Sequence, residues 1–165
     1  MRSISLVLLS SACAATVTFT EAVGRLPVTR PELALTARDT IIALAIREAV
    51  LSGIPGFLPQ RQVVVQRVPD IVSSHALPRI DSVAFFVLDT AQLTNVAVQG
   101  GNFAYLRPYP PRISGESAVV SLASKLALKA MPRGTHFLDG GSCSWRAVRQ
   151  SGTWVVDTVL GCIIW

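Results

Sequence analysis

The sequence has few of the side chains that perform chemistry. Only two of its 165 residues are histidine, His75 and His136. Neither has a second histidine or cysteine three or four positions away, so the zinc motifs that depend on this spacing are excluded. There is no glycine-rich phosphate loop, no nucleophile elbow and no His-Glu-x-x-His helix. We therefore predict no catalytic residue, no metal and no cofactor.

Charged residues are also scarce. They make up 15% of the chain, and hydrophobic residues make up 50%, whereas charged residues are about 25% of a typical soluble protein. Some apolar surface is therefore expected to contact a protein partner or a second copy of the chain. The net charge is +5, but the basic residues between Arg25 and Arg149 are scattered without a run of three. A nucleic-acid footprint would be clustered, so no nucleic-acid partner is predicted.

No uninterrupted apolar run reaches the roughly 20 residues of a membrane-spanning helix, so no such span is predicted. The first residues instead have the pattern of a secretory signal: Arg2, a largely apolar stretch over 4–9, and the small residues Ala12-Cys13-Ala14. We predict a signal peptide over 1–14 and a periplasmic or secreted location. Two alternatives stay open, a lipoprotein acylated at Cys13 and a retained anchor. Membrane association would then depend on lipid or on a partner.

Two cysteines are left when Cys13 is assigned to the signal. Cys143 and Cys162 then form an even pair in an oxidising compartment, and we predict that they form a disulfide. The alternative is two buried free thiols.

The turn between the last two predicted strands decides whether this bond can form. A two-residue turn at Gly152-Thr153, of the type II′ that suits a first glycine, places Cys143 directly opposite Cys162. Facing residues on antiparallel strands have Cα atoms about 4.5 to 5.5 Å apart, which permits a disulfide. A three-residue loop over 150–152 would instead place Cys143 opposite Val159.

The same register assigns the two faces of this hairpin. The cysteine face would carry Trp145, Ala147, Thr158 and Leu160, and the opposite face Ser144, Arg146 and Asp157.

Two helices are predicted from their capping patterns. Thr36 and Asp39 form a capping box at the start of a helix over 37–52, and a second helix runs from an Asp89 cap to about Val98. Glycines end both helices. The first helix has one apolar stripe, formed by Ile42, Ala45, Ile46, Ala49 and Val50. Residues 15–36 contain two prolines and are predicted to be an extended arm.

Short β-branched and apolar runs predict strands over 62–68, 83–88 and 103–107. Residues 118–129 alternate between apolar and polar side chains, which favours a strand, although a helical spacing of apolar residues also fits. The predicted fold is α+β: a curved antiparallel sheet of about five to six strands packed on an N-terminal helix, with a second short helix. Residues 37–165 would form one domain.

Two further segments have open interpretations. Tyr109 lies among three prolines in a stiff extended segment, either a surface loop or a partner contact. His136 and Asp139, with Asp89 as a third member, could form an acid/base pair in a pocket if folding brings them together. Gly140-Gly141 is predicted to be a turn.

The segment Ser144–Asp157, with its polar-Gly-x-Trp turn, resembles the closing hairpin of cystatin-like and nuclear-transport-factor-like domains. The resemblance implies a curved sheet wrapped on a helix. Such domains serve as subunit interfaces or ligand pockets and occasionally as enzymes, and no active-site residue is carried over. The predicted function is non-enzymatic protein–protein interaction, as an accessory subunit of a periplasmic or membrane-associated complex. The alternative is a small-molecule-binding protein or enzyme with a pocket between sheet and helix.

Overall fold

The computed structural model describes residues 36–57, 61–69, 77–130 and 137–164, with side chains for all of these except 137 and 138. The predicted signal peptide, Cys13 and the arm up to residue 35 lie outside the described residues, as does His136.

Both predicted helices are confirmed. Helix α1 (Ala37–Ser52) begins at the Thr36–Asp39 capping box, in which the Thr36 hydroxyl accepts the Asp39 N–H at 3.1 Å and the Asp39 carboxylate accepts the Thr36 N–H at 3.2 Å. Helix α2 (Thr90–Gly100) begins at Asp89, which accepts the Gln92 N–H at 2.8 Å. These caps satisfy amide groups that a helix start leaves without a partner.

Among the described residues, seven strands form one open sheet, in the order β2-β1-β3-β5-β6-β7 with β4 paired to β5. Their bounds are β1 (Gln62–Gln66), β2 (Ala84–Leu88), β3 (Phe103–Pro108), β4 (Arg112–Ser114), β5 (Ser117–Ala127), β6 (Phe137–Gln150) and β7 (Thr153–Ile163). The strand predicted over 118–129 is confirmed as β5. The prediction of five to six strands missed β4, which has only three residues.

The sheet is mixed, so the prediction of an antiparallel sheet is wrong at its β2-β1-β3 end. β1 pairs in parallel with both β2 and β3, whereas the pairings among β3, β4, β5, β6 and β7 are antiparallel. One physical reason is the connection from β2 to β3 through α2, because a helix between two strands carries the chain back to the starting edge of the sheet and makes β3 run parallel to β2. The direction of β1 depends on the connection over 67–83, part of which lies outside the described residues.

Each helix covers one face of the sheet. We call the face that contacts α1 the inner face and the opposite face the outer face. Ile41, Ile42, Ala45, Ile46, Ala49 and Val50 of α1 pack in one cluster with the inner-face side chains of the sheet, where the largest buried side chain is Trp145, 2% exposed. On the outer face, α2 packs on β1, β2, β3 and the last residue of β5 through Leu93, Val96 and Ala97. Within the described residues, neither helix cluster reaches the outer face of β4, β6 and β7, and we call this area the uncovered outer face.

The β6–β7 hairpin brings the two cysteines together by a different turn from the one predicted. The turn residues are Ser151 and Gly152, and both have positive φ, 51° and 84°, as a type I′ turn requires. Gln150 therefore faces Thr153. If the pairing continued from there without interruption, it would miss the observed pairing of Cys143 with Cys162 by two residues.

Two β-bulges in β7 correct this offset. Asp157 and Leu160 each lie between paired neighbours without a partner of their own, so each adds one residue to β7. As a result Cys143 and Cys162 face each other with Cα atoms 4.1 Å apart and sulfurs at bonding distance. The predicted pair is confirmed, but its predicted type II′ turn is wrong.

The bulges also change the face on which two residues of β7 lie. Trp145 and Ala147 share the inner face with Cys143, as predicted. Thr158 pairs with Arg146 and so belongs to the outer face, and Leu160 lines an outer-face depression. The prediction that both lie on the cysteine face is wrong because each bulge reverses the alternation of side chains along β7.

Gly140 and Gly141 lie inside β6, not in the predicted turn. Gly140 is the bulged residue opposite the Ser124–Lys125 step of β5. The loop after α1 packs on it so closely that a Cβ on Gly56 would lie 2.8 Å from the Gly140 backbone. Glycines at this contact let two backbones touch, which joins the end of α1 to the sheet.

Candidate functional site

Asp139 and Asp89, two of the three predicted pocket residues, have structural partners. Asp139 forms an ion pair with Lys125 across the β5–β6 pairing, and Asp89 caps α2. His136 lies outside the described residues, so the predicted acid/base pair with Asp139 stays a prediction.

The uncovered outer face is built from three cross-strand rows of side chains. The first row contains Arg107, Ala123, Ser142 and Ile163; the middle row contains Ser121, Ser144 and Gly161; the third row contains Arg112, Val119, Arg146 and Thr158. Successive residues on one face of a strand are about 7 Å apart, which is the spacing between neighbouring rows.

The middle row forms the floor of a trough that crosses the strands. The Ser121 and Ser144 hydroxyls are 2.7 Å apart and hydrogen-bonded, and Gly161 has no side chain. The trough has a volume of about 680 Å³, and a depression of about 300 Å³ that shares Ser142 and Ser144 continues it to the end of β7. Small residues between rows of larger ones make this surface concave.

The wall at the β3–β4 end of the trough is the predicted stiff segment around Tyr109. The Tyr109 N–H donates to the Ser121 carbonyl at 3.0 Å, and the Arg107 guanidinium lies 5.8 Å from the centre of the Tyr109 ring, a cation–π contact. Pro110 and Pro111 continue this wall. The segment therefore holds an aromatic ring, 38% exposed, beside a serine floor.

The opposite end of the trough is apolar. Leu160 and Ile163, at the end of β7, line the outer-face depression and are 50% and 56% exposed. Val159 is also exposed (55%), but it pairs with the inner-face residue Trp145 and so lies on the other face of the sheet. Because β7 is the last strand in the sheet order, its outward backbone groups face no neighbouring strand among the described residues.

The charges around the trough are mostly positive. Arg146 donates to the Asp157 carboxylate through Nε at 2.7 Å and also through Nη2, and this hydrogen bond lowers the pKa of Asp157. Arg107 and Arg112 form no ion pair with any carboxylate in the described residues. The buried Nε of Arg107 has no hydrogen-bond partner within the same part of the chain. Two guanidinium groups at the β3–β4 end thus have no acidic partner in the described part of the chain.

The groups at the trough are few in kind. Its lining contains Tyr109, Arg112 and the three serines Ser121, Ser142 and Ser144, and the Arg107 guanidinium lies against the Tyr109 ring. Within the described ranges, no cluster of three potential metal ligands is present. No helix among the described residues is long and apolar enough to cross a membrane.

The sequence contained a signal for this site that the predictions did not use. Arg107, Ser121 and Ser144 lie in predicted strands, on the faces opposite the apolar positions. Their alternation shows that they point away from the inner core, but which strands are neighbours, and hence which side chains share a row, is not visible in the sequence. Arg112 was missed together with β4.

The resemblance of the closing hairpin to cystatin-like and nuclear-transport-factor-like domains stays a prediction. A comparison of the chain with protein-family models, with curated proteins and with solved structures finds no match.

Proposed function

We propose that this chain is an exported, non-enzymatic domain that binds another protein on the uncovered outer face and the adjoining edge strand β7. The observation that carries the proposal is the position of the exposed apolar side chains. Leu160 and Ile163 lie together at the open edge of the sheet and at the end of a trough, not scattered singly over the surface. Exposed apolar side chains beside an unpaired strand edge are typical of docking surfaces.

The unpaired edge is long. β7 has 11 residues, and natural proteins usually protect such an edge with charges, bulges or a covering element. The only ionisable side chain in β7 is Asp157, which Arg146 neutralises. The two bulges interrupt pairing near the middle of β7 but leave residues 161–163 paired to β6 and open on the other side. In this proposal the partner protein covers the open edge of β7 at residues 161–163.

The charges favour a different protein over a second copy of the chain. Arg107 and Arg112 lie on the proposed surface without acidic partners among the described residues. Two copies that met through this surface would place like charges together in a surface being dehydrated, which costs free energy.

The disulfide supports the proposed location. Disulfides persist in the periplasm and outside the cell and are rare in the cytosol. The cysteine pair therefore supports the signal-peptide prediction, and an accessory subunit of an extracytoplasmic complex fits both features.

The alternative function, a small-molecule site between sheet and helix, has weaker support. A depression of about 520 Å³ lies at the start of α1 and is lined by residues that include Thr40, Arg149 and Trp154. Its described lining contains neither a histidine nor an aspartate. The predicted convergence of such groups is therefore missing from the described part of this depression.

A photocrosslinking experiment in the producing organism tests the proposal. A benzophenone amino acid is placed at Leu160 and, as a matched control, at Val98, which is 52% exposed on α2 against 50% for Leu160. We expect a covalent adduct with another protein from position 160 and little from position 98. Ile163→Lys should reduce the adduct, because it places a charge in the apolar end of the trough.

Three results would contradict the proposal. They are equal adducts from both positions, adducts only with a second copy of the chain, and no adduct together with a monodisperse monomer in light scattering.

A further inference from the structure

We propose that the part of the partner that occupies the trough is an extended peptide segment with a carboxylate near one end and apolar side chains near the other. This inference rests on the proposed function and adds the chemistry of the partner. It follows from the difference between the two ends of the trough, because the cationic end and the apolar end lie on different strands.

The cationic end is formed by two arginines on either side of the floor. Arg107 belongs to the first row and Arg112 to the third, and Ser121 lies between them in the middle row. The rows are about 7 Å apart, so the Cα atoms of the two arginines are about 14 Å apart and their long side chains can converge on one group above the floor. Charge-assisted hydrogen bonds from arginine to carboxylate are the strongest that such a pair can make.

The contact of Arg107 with Tyr109 brings its charge to the wall of the trough. The guanidinium carbon of Arg107 lies 5.8 Å from the centre of the Tyr109 ring, and Tyr109 lines the trough together with Arg112. A ligand carboxylate beside Tyr109 would therefore lie close to the Arg107 charge and on the surface that Arg112 lines.

The apolar end lies three strands away, at Leu160 and Ile163 on β7. Neighbouring strands are about 4.8 Å apart, so the two ends of the trough are separated by about 14 Å. An extended peptide rises about 3.4 Å per residue, so its acidic and apolar side chains should be about four residues apart. The serine floor between them can bond to the peptide backbone.

These features favour a peptide over an acidic polysaccharide. A polysaccharide has carboxylates or sulfates along its length but no apolar side chains to cover Leu160 and Ile163, which are 50% and 56% exposed. A peptide can satisfy both ends at once.

Selection from a random peptide library on the immobilised, oxidised protein tests the inference. Three proteins are compared: the wild type, the double variant Arg107→Gln/Arg112→Gln, and Arg47→Gln, which removes one charge from the exposed side of α1. We expect peptides selected on the wild type and on Arg47→Gln to be enriched in Asp and Glu about four residues from an apolar residue. The double variant should lose this enrichment.

The affinity of one selected peptide for each variant measures how much the two arginines contribute to binding. Exposed ion pairs contribute about 0.2–1 kcal/mol each, so the double variant should bind about two- to thirtyfold more weakly, and the loss should shrink at high salt. Arg107→Lys/Arg112→Lys keeps the charges and should keep most of the acidic preference, which separates a charge effect from a folding defect.

The inference is overturned if no peptide is enriched, if the enriched peptides lack acidic residues, or if they are the same on the double variant. It is also overturned if polygalacturonate displaces a selected peptide from the wild type and binds as tightly to Ile163→Lys, because a polysaccharide would then be the better ligand. In each case an adduct from position 160 with another protein would still support the proposed function, so the two failures are distinguishable.

Discussion

Reducing the Cys143–Cys162 bond is expected to destabilise the chain without unfolding it. The two cysteines are 19 residues apart in sequence. In the chain-entropy model a loop of this size lowers the entropy of the unfolded state by about 11 cal/mol/K, equivalent to about 3 kcal/mol at 25 °C. This is a large share of the 5–15 kcal/mol that stabilises a typical domain.

Urea unfolding of oxidised and reduced wild-type protein measures this effect with no change of sequence. With a slope of about 1–3 kcal/mol/M, a loss of about 3 kcal/mol moves the midpoint down by about 1–3 M urea. The variant Cys143→Ala/Cys162→Ser is the matched control, because it cannot form the bond and its midpoint should not respond to reductant. Alanine is chosen at position 143 because Cys143 is 1% exposed and a buried hydroxyl would add its own cost.

Thiol titration of the native protein distinguishes two results that would contradict this prediction. If the exported protein has two free thiols, the bond is not formed and the support for the location is lost. If no thiol is free but both midpoints agree, the bond is formed and the entropic argument is refuted.

Three further predictions concern other parts of the fold. Gly56→Ala should lower the unfolding free energy by about 2–4 kcal/mol, because φ is +74° and the new Cβ would lie 2.8 Å from the Gly140 backbone. Gly53→Ala is the control, because φ is +81° but no atom lies within 4 Å of the new Cβ; it should lower the unfolding free energy by only about 1–2 kcal/mol. The Arg146 hydrogen bond lowers the pKa of Asp157. The contribution of this hydrogen bond to stability is therefore present above the unfolded-state pKa of about 3.9 and is lost as pH falls through the folded-state pKa. NMR titration should show that the Asp157 pKa rises in Arg146→Gln. Burial raises the pKa of Tyr105, so Tyr105→Phe should reduce the alkaline absorbance change of the denatured protein more than that of the native protein at the same pH.

The sequence by itself determined the elements whose causes are local. Thr36 with Asp39, and Asp89 with Gln92, cap the two helices through side chains three positions away, so the capping pattern was sufficient to place both starts. The alternation in 118–129 favoured the strand that the structure shows as β5, although a helix also fitted the spacing of its apolar residues. The pairing of Cys143 with Cys162 was predicted from the even pair that remains once Cys13 is assigned to the signal, and from a nearby turn.

The tertiary structure alone decided how these elements are arranged. Parallel pairing of β1 with β2 and β3 depends on the path of the chain between them, and the register at the cysteines depends on the bulges at Asp157 and Leu160. The trough depends on both, because Arg107, Ser142 and Ile163 come from three strands and share a row only through the strand order. Capping and alternation act within a few residues and leave a pattern in the sequence, whereas contacts between distant strands are selected by the packing of the whole sheet.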